Sequence, residues 1–170
     1  SYNDANGIDL IQKYAHIYGL DQKTGLEISE SKSSVATEYP VMAAIGQSDN
    51  NYTTVALSRY VTAVASGKKY NYQLMDRIVD ASGKTVKKYK ADYEDISDTL
   101  TDSQWDALHS GMRQVVSTMD RFQGFDIPVA GKTGTAQQTG HANHGLFIGY
   151  APYDDPEITI AVRIANGYSS

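Results

Sequence analysis

Residues 132–135 read Lys-Thr-Gly-Thr, and these residue types together can bind an anionic substrate. The ammonium group of Lys132 offers a positive charge for a carboxylate, and the Thr133 hydroxyl can donate a hydrogen bond to the same anion. Gly134 has no side chain, so a substrate can lie against the backbone there. On a strand, Thr135 would place a second hydroxyl on the same face as Thr133, because strand side chains alternate with a period of two. The segment is therefore a candidate carboxylate-binding site.

The triplet alone is weak evidence for such a site, because Lys-Thr-Gly also occurs at residues 23–25. The later copy differs in its surroundings. It follows the apolar stretch 127–130 and precedes two strand-like segments, so we expect it on a β-strand. The alternative interpretation is an ordinary edge strand that carries a solvated lysine.

Three helices are predicted around this segment. Residues 8–18 follow helical spacing and end at Gly19, and residues 53–65 form a second apolar stripe that stops at Gly67. The third helix, residues 101–117, places apolar side chains on one inner stripe. Those side chains are Trp105, Leu108, Met112, Val115 and Val116.

The remaining pattern favours strands in the second half of the chain. Residues 127–135, 145–150 and 157–164 are joined by short connections, which predicts an antiparallel meander. A hairpin is expected where residues 73–80 turn into residues 85–86, and the acidic stretch 89–100 is predicted to be irregular. The expected fold class is α+β, with an antiparallel sheet flanked by helices.

Composition excludes several classes of protein. The 170 residues are 41% hydrophobic and 21% charged, which is typical of one globular domain. The formal net charge of -5 argues against a nucleic-acid partner, and the lack of cysteine excludes disulfides and thiolate metal sites.

His141 and His144 have no accompanying acidic or cysteine ligand, so we predict a loop there and no metal site. No apolar run approaches the ~20 residues that span a bilayer.

Several ordered stretches of the chain resemble the penicillin-binding proteins, in the carboxy-terminal part of their transpeptidase domain. The segment 129–137, Val-Ala-Gly-Lys-Thr-Gly-Thr-Ala-Gln, is nearly identical to the Lys-Thr-Gly motif of that family, which is the third of three motifs along the family's chain. The other matching stretches also occur in the family's order. Five ordered matches are much more specific than one triplet. The other matching stretches are residues 18–26, 44–47 with 53–57, 111–116 and 147–152.

The resemblance implies a penicillin-binding transpeptidase or β-lactamase-like fold and an acyl-transfer reaction. In that family a serine attacks the bond between two D-alanines of a peptidoglycan stem peptide, an amine then takes the acyl group, and β-lactams acylate the same serine. Lys132, Thr133, Gly134 and Thr135 would bind the stem peptide or the β-lactam. No cofactor is implied. The parent protein would be membrane-anchored at the extracytoplasmic face of the bacterial cell membrane.

The family's other two motifs have matches only in unexpected places. Ser-x-x-Lys occurs at residues 29–32 and 66–69, in a polar loop and at a helix end, whereas the nucleophile belongs upstream at the start of a buried helix. Ser-x-Asn occurs at residues 48–50, downstream of the segment that it should precede, and at residues 1–3, too close to that segment. Neither serine motif is therefore expected to be catalytic.

We expect residues 1–170 to be a carboxy-terminal fragment of a single transpeptidase domain, without the first two motifs and the final helix. Such a fragment would be inactive alone, and its uncovered apolar faces would promote self-association. Two alternatives remain open from the sequence. One is a β-lactamase-like hydrolase that uses residues 48–50, and the other is a non-catalytic module that binds peptidoglycan or a partner protein.

Overall fold

The computed structural model describes residues 3–138 and 140–167. Within these residues, four α-helices and seven β-strands follow one another in the order α1, α2, α3, β1 to β4, α4 and β5 to β7. The helices are α1 (Asp4–Ile17), α2 (Pro40–Ala44), α3 (Thr54–Ser66) and α4 (Asp102–Ser117). The strands are β1 (Lys68–Asn71), β2 (Arg77–Val79), β3 (Thr85–Lys88), β4 (Asp92–Asp95), β5 (Ala130–Gln138), β6 (His141–Ala151) and β7 (Ile158–Ile164).

The three predicted helices are confirmed, and local signals explain their ends. The Asn3 side chain accepts a hydrogen bond from the backbone N–H of Ala5, and Gly19 follows α1 with φ +76°. Thr53 caps α3 in the same way, and Gly67 ends that helix with φ +68°. Helix α4 begins with a reciprocal capping box between Thr101 and Gln104.

The main sheet is the predicted antiparallel meander, in the strand order β5-β6-β7. Lys132 lies opposite Ile148, Thr133 lies opposite Phe147, and Phe147 lies opposite Val162. This register divides the side chains of the meander into two faces. The α+β fold class with an antiparallel sheet and flanking helices is confirmed.

Helices α3 and α4 pack on one face of the sheet, which we call the inner face. Ala130 and Tyr150 of the sheet are buried there against Val61, Val64 and Met112. The predicted inner stripe of α4 is confirmed for Met112 and Val116, which are buried. Trp105 and Leu108 are only half-buried, at the margin of this core.

The prediction of an irregular stretch at 89–100 is wrong, because strand β4 lies inside it and pairs with β1. Lys69 lies opposite Glu94, and their side chains form an ion pair of 2.7 Å. Apolar alternation could not show this strand, since its side chains are exposed and three of the four are acidic, while its partner strand supplies the basic charges. The hairpin expected between residues 73–80 and 85–86 is confirmed by the antiparallel pairing of β2 and β3.

The outer face of the main sheet carries exposed apolar side chains on β7. They form one row because strand residues two apart share a face. The row consists of Ile158, Ile160, Val162 and Ile164. Among the described helices, none has the length and apolar character needed to cross a membrane.

Candidate functional site

The Lys-Thr-Gly-Thr segment lies on β5, which forms one edge of the main sheet. Lys132 is exposed, and its Nζ atom donates a hydrogen bond of 2.8 Å to the Thr133 carbonyl. The Gln47 side-chain amide donates to the Thr135 carbonyl at 3.2 Å from the loop that follows α2. Both carbonyls accept hydrogen bonds from side chains, and carbonyls two residues apart on a strand point to the same side. We therefore place both on the side of β5 that faces away from β6. The Lys132 ammonium group therefore lies along the edge of β5 that pairs with no other strand in the described part of the chain, which we call the free edge.

The two hydroxyls of the segment lie on the outer face, as the period of two predicted. Thr133 and Thr135 share that face with Phe147, which lies opposite Thr133. Lys132 and Gly134 lie on the inner face, and only the length of the lysine side chain brings its charge to the strand edge. An anion bound along the free edge can thus contact the ammonium group from one face and a hydroxyl from the other.

Two glycines that the sequence analysis passed over support this strand. A Cβ atom on Gly131 would lie 2.5 Å from the Phe147 ring, and one on Gly149 would lie 2.8 Å from the Ala130 carbonyl. The Phe147 ring therefore covers both glycines, and it stacks on Phe122 with 5.7 Å between ring centroids. The signal in the sequence was a glycine on each of two neighbouring strands, which marks a close approach.

Neither Ser-x-x-Lys match has the surroundings of a nucleophile. Ser29 is exposed in the loop between α1 and α2. Ser66 is the last residue of α3, and its hydroxyl donates to the Thr62 carbonyl at 2.7 Å. Lys69, the lysine of that second match, is paired with Glu94. Both matches thus have structural or solvated surroundings, as the sequence analysis expected.

The Ser-Asp-Asn sequence at residues 48–50 builds a turn. The Ser48 hydroxyl donates to the Glu38 carbonyl at 2.8 Å, and Asn50 accepts a hydrogen bond from the Ala36 backbone N–H. Hydrogen bonds from the Thr37 hydroxyl and backbone N–H lower the pKa of Asp49 to about 2. These contacts tie residues 36–38 to residues 48–50 and leave the segment a structural role.

The Ser-x-Asn match at residues 1–3 falls partly outside the described residues, since only Asn3 is described. Asn3 caps helix α1, so its side chain already accepts the Ala5 backbone N–H.

The two histidines lie on β6, so the prediction of a loop there is wrong. The β5–β6 connection is tight around Gly140, and β6 therefore begins at His141. His144 is buried, and its ring nitrogens contact the Arg163 guanidinium at 2.8 Å and the Asn166 backbone N–H at 2.9 Å. Within residues 3–138 and 140–167, no group of three metal-ligating side chains comes together.

The earlier Lys-Thr-Gly copy, at residues 23–25, is part of an internal hydrogen-bond network. Thr24 is fully buried, and both its N–H and its hydroxyl donate to the Glu30 carboxylate. Buried Arg59 donates to the carbonyls of Gly19, Gln22 and Lys23. Sequence reasoning missed both Glu30 and Arg59, because most of their partners are backbone groups that no spacing in the sequence reveals.

Comparison with known proteins identifies the same family as the sequence motifs. The family described as "Penicillin binding protein transpeptidase domain" matches residues 2–170. Penicillin-binding protein H of Bacillus subtilis is 26% identical over 188 residues, which cover 95% of this chain and 26% of that protein. Penicillin-binding protein 2B of Streptococcus pneumoniae is 32% identical over 169 residues, covering 85% of this chain and 24% of that protein.

Solved structures show the same fold. The imipenem acyl-enzyme complex of penicillin-binding protein A from M. tuberculosis superposes with a TM-score of 0.83 at 21% identity, covering 96% of this chain and 39% of that one. Penicillin-binding protein 2B from S. pneumoniae superposes with a TM-score of 0.76 at 26% identity, covering 91% of this chain and 28% of that one.

The chain spans about a quarter of the length of the curated relatives it matches. The family match, in contrast, extends over nearly all of the chain. The free β5 edge with its lysine and hydroxyls lies within that match. The chain belongs to the penicillin-binding protein transpeptidase domain family.

Proposed function

We propose that this chain is part of a peptidoglycan D,D-transpeptidase and provides the strand that binds the substrate carboxylate. Lys132 would bind the carboxylate of a stem peptide or β-lactam through its charge, while Thr133 and Thr135 would donate hydrogen bonds. Gly134 would leave the backbone open to the ligand. One observation carries the proposal: the Lys132 ammonium group lies along the free edge of β5, 2.8 Å from the Thr133 carbonyl.

The proposed reaction is acyl transfer between stem peptides. A serine oxygen attacks the carbonyl between two D-alanines, the terminal D-alanine leaves with a proton, and an amine of a second stem then displaces the serine. β-Lactams would acylate the same serine, and the acyl-enzyme complexes of penicillin-binding protein A support that part of the proposal. The residues of this chain would hold the carboxylate during attack, and the serine would come from outside it.

A titration with a stem-peptide mimic tests the role of Lys132. We expect N-acetyl-D-alanyl-D-alanine to shift the amide NMR signals of β5, and its carboxy-terminal amide, which lacks the charge, to bind much more weakly. Lys132→Ala should weaken binding roughly 10-fold, because a hydrogen bond to a charged group contributes about 1.5–3 kcal/mol. Lys23→Ala is the matched control and should leave binding unchanged. Equal loss in the two variants would contradict the proposal.

Activity gives a second test. Without an activated serine, the chain should not be acylated, since removing the nucleophile of a serine enzyme costs orders of magnitude in rate. We expect no increase in intact mass after incubation with benzylpenicillin. An adduct of one drug molecule on Ser29, Ser48 or Ser66 would overturn this expectation and favour the β-lactamase-like alternative.

The location and partners of the complete protein follow from the same proposal. Stem peptides lie outside the cytoplasm, so a membrane-anchored parent at the extracytoplasmic face is the expected setting.

The exposed apolar row on β7 supports the expectation that the chain self-associates. Sedimentation velocity at increasing concentration tests this, and a monomer at every concentration would contradict it. Fluorescent-penicillin labelling of the complete protein separates the enzyme from the non-catalytic module.

A further inference from the structure

A concave surface lies at the opposite edge of the main sheet from Lys132. It is a groove of about 370 Å³ between the end of α3, strand β1 and the start of β7. Cavities of this size are typical of small-molecule sites. Lys132 lies on β5, and β7 is at the other end of the strand order β5-β6-β7, so the groove is separate from the candidate carboxylate site.

A directional hydroxyl network forms the floor of the groove. Thr62 donates its single hydroxyl proton to the Ser58 carbonyl at 2.9 Å. The Tyr72 and Thr159 hydroxyls lie 2.9 and 2.8 Å from the Thr62 oxygen, and the Tyr72 hydroxyl also lies 3.0 Å from the Ser58 hydroxyl. The network fixes the position of the Tyr72 side chain and leaves lone pairs on Thr159 that can accept from a ligand.

Aromatic rings form one wall of the groove. Tyr70 and Tyr72 both line it, and both are half-buried. The Tyr70 ring is supported from behind by Tyr93, with 5.2 Å between their centroids. Fixed tyrosine rings offer a flat apolar surface with polar groups at its margin.

Amide and carboxylate groups surround these rings. The Asn71 side-chain NH₂ donates to the Asp92 carboxylate at 2.9 Å, which leaves its carbonyl oxygen able to accept. In the described part of the chain, the side chains of Gln73 and Glu157 have no hydrogen-bond partner. Of the described residues that line the groove, none carries a positive charge, so an anionic ligand has no counter-charge there.

We propose that this groove binds a neutral carbohydrate, of the class of N-acetylated amino-sugar chains. A pyranose ring has an apolar C–H face, which suits the tyrosine wall, and a rim of hydroxyls that both donate and accept. The side-chain amides of Asn71 and Gln73 can donate hydrogen bonds to the acetamido group and accept hydrogen bonds from it. Amino sugars form the glycan of peptidoglycan, and this polymer appears in the name of a relative from Acinetobacter baumannii, peptidoglycan D,D-transpeptidase MrdA. The inference rests on the groove itself and does not require the proposed role of Lys132.

Titration of the protein with the tetramer of N-acetylglucosamine, followed by amide NMR, tests the proposal. We expect saturable shifts at residues 70–73 and 157–159, and no competition from N-acetyl-D-alanyl-D-alanine. Tyr70→Ala should weaken binding at least 10-fold, and Gln73→Ala about 3-fold. Tyr39→Ala, which removes a tyrosine that is 68% exposed elsewhere, should leave the affinity unchanged. So should Lys132→Ala, which separates this site from the carboxylate site.

Three results would overturn the proposal. The first is the absence of saturable shifts at 10 mM sugar, and the second is binding that Tyr70→Ala and Gln73→Ala both leave intact. Because Tyr70 is half-buried, the exposed Gln73 provides a variant whose folding is not at risk. The third is preferential binding of a lysine-type amine that Glu157→Gln abolishes, since the groove would then recognise a cation.

Discussion

The chain contains the sequence Lys-Thr-Gly twice, and the two copies have opposite surroundings. In the earlier copy, Thr24 is fully buried and its hydroxyl donates to Glu30 at 2.8 Å. In the later copy, Lys132 is exposed on an edge strand and Thr133 is half-buried. The comparison teaches that the triplet has no fixed chemistry. Whether its groups reach the surface depends on the elements that the fold packs around each copy.

The largest expected effect concerns Arg59, which supports the earlier copy. Arg59 is 2% exposed and donates to three carbonyls of the loop that follows α1, so Arg59→Met removes all of these donors. We expect the free energy of unfolding to fall by about 3 kcal/mol. Urea denaturation measures it. Arg77→Met, whose side chain is 59% exposed, is the control and should change stability by less than about 0.5 kcal/mol.

The next largest expected effect is the difference in stability cost between substitutions of the two threonines. Thr24→Val removes a buried hydrogen bond to a carboxylate, so we expect a loss of about 2 kcal/mol. Thr133→Val should cost less than about 0.5 kcal/mol, because no comparable buried bond is lost, while the affinity for the stem-peptide mimic falls. Thermal and urea unfolding of both variants measures the contrast. Similar losses in both would show that the two copies are equivalent structural elements.

The two glycines provide a smaller contrast. Gly25 has φ +98°, a conformation that L-residues rarely adopt, so Gly25→Ala should cost about 1 kcal/mol. A Cβ on Gly134 would lie 3.5 Å from Leu146, an ordinary contact, so Gly134→Ala should stay within about 0.5 kcal/mol of the parent. The midpoints of paired urea titrations measure both changes. A costlier substitution at Gly134 would mean that β5 is under strain.

The smallest expected difference between the two copies is in how the free energy of unfolding depends on pH. Burial raises the pKa of Glu30, but hydrogen bonds from Thr24, Leu26 and Gly25 outweigh it and hold the pKa below the ordinary value of 4.5. The stabilisation is therefore present above pH 4.5 and is lost as the pH falls through the lower pKa of the folded state. Unfolding free energies measured between pH 6 and pH 3 should show this loss.

Substitutions provide the control for that pH series. Thr24→Val should reduce the acid dependence, because it removes one of the hydrogen bonds that lower the Glu30 pKa. Thr133→Val should leave the dependence unchanged. An identical slope in the parent and in Glu30→Gln would show that Glu30 does not contribute.

Much of the fold could be predicted because its signals are local. The end of α1 at Gly19 and the capping of α4 by Thr101 depend on residues within a few positions of each other. The meander of β5, β6 and β7 could be predicted because its strands are apolar and closely spaced. Strand β4 could not be predicted, since the basic residues that pair with it lie some 25 positions earlier.

The sequence by itself determined the fold class, the family resemblance and the candidate residues for carboxylate binding, including the choice of the later Lys-Thr-Gly copy, because motif order and residue type are properties of the chain. Only the tertiary structure decided how each Lys-Thr-Gly copy is surrounded. Exposure and hydrogen-bond partners depend on what the fold brings alongside: Glu30 and Arg59 against the earlier copy, and a free sheet edge beside the later one. The tyrosine groove beside β7 also required the structure, since α3, β1 and β7 meet only when the chain is folded.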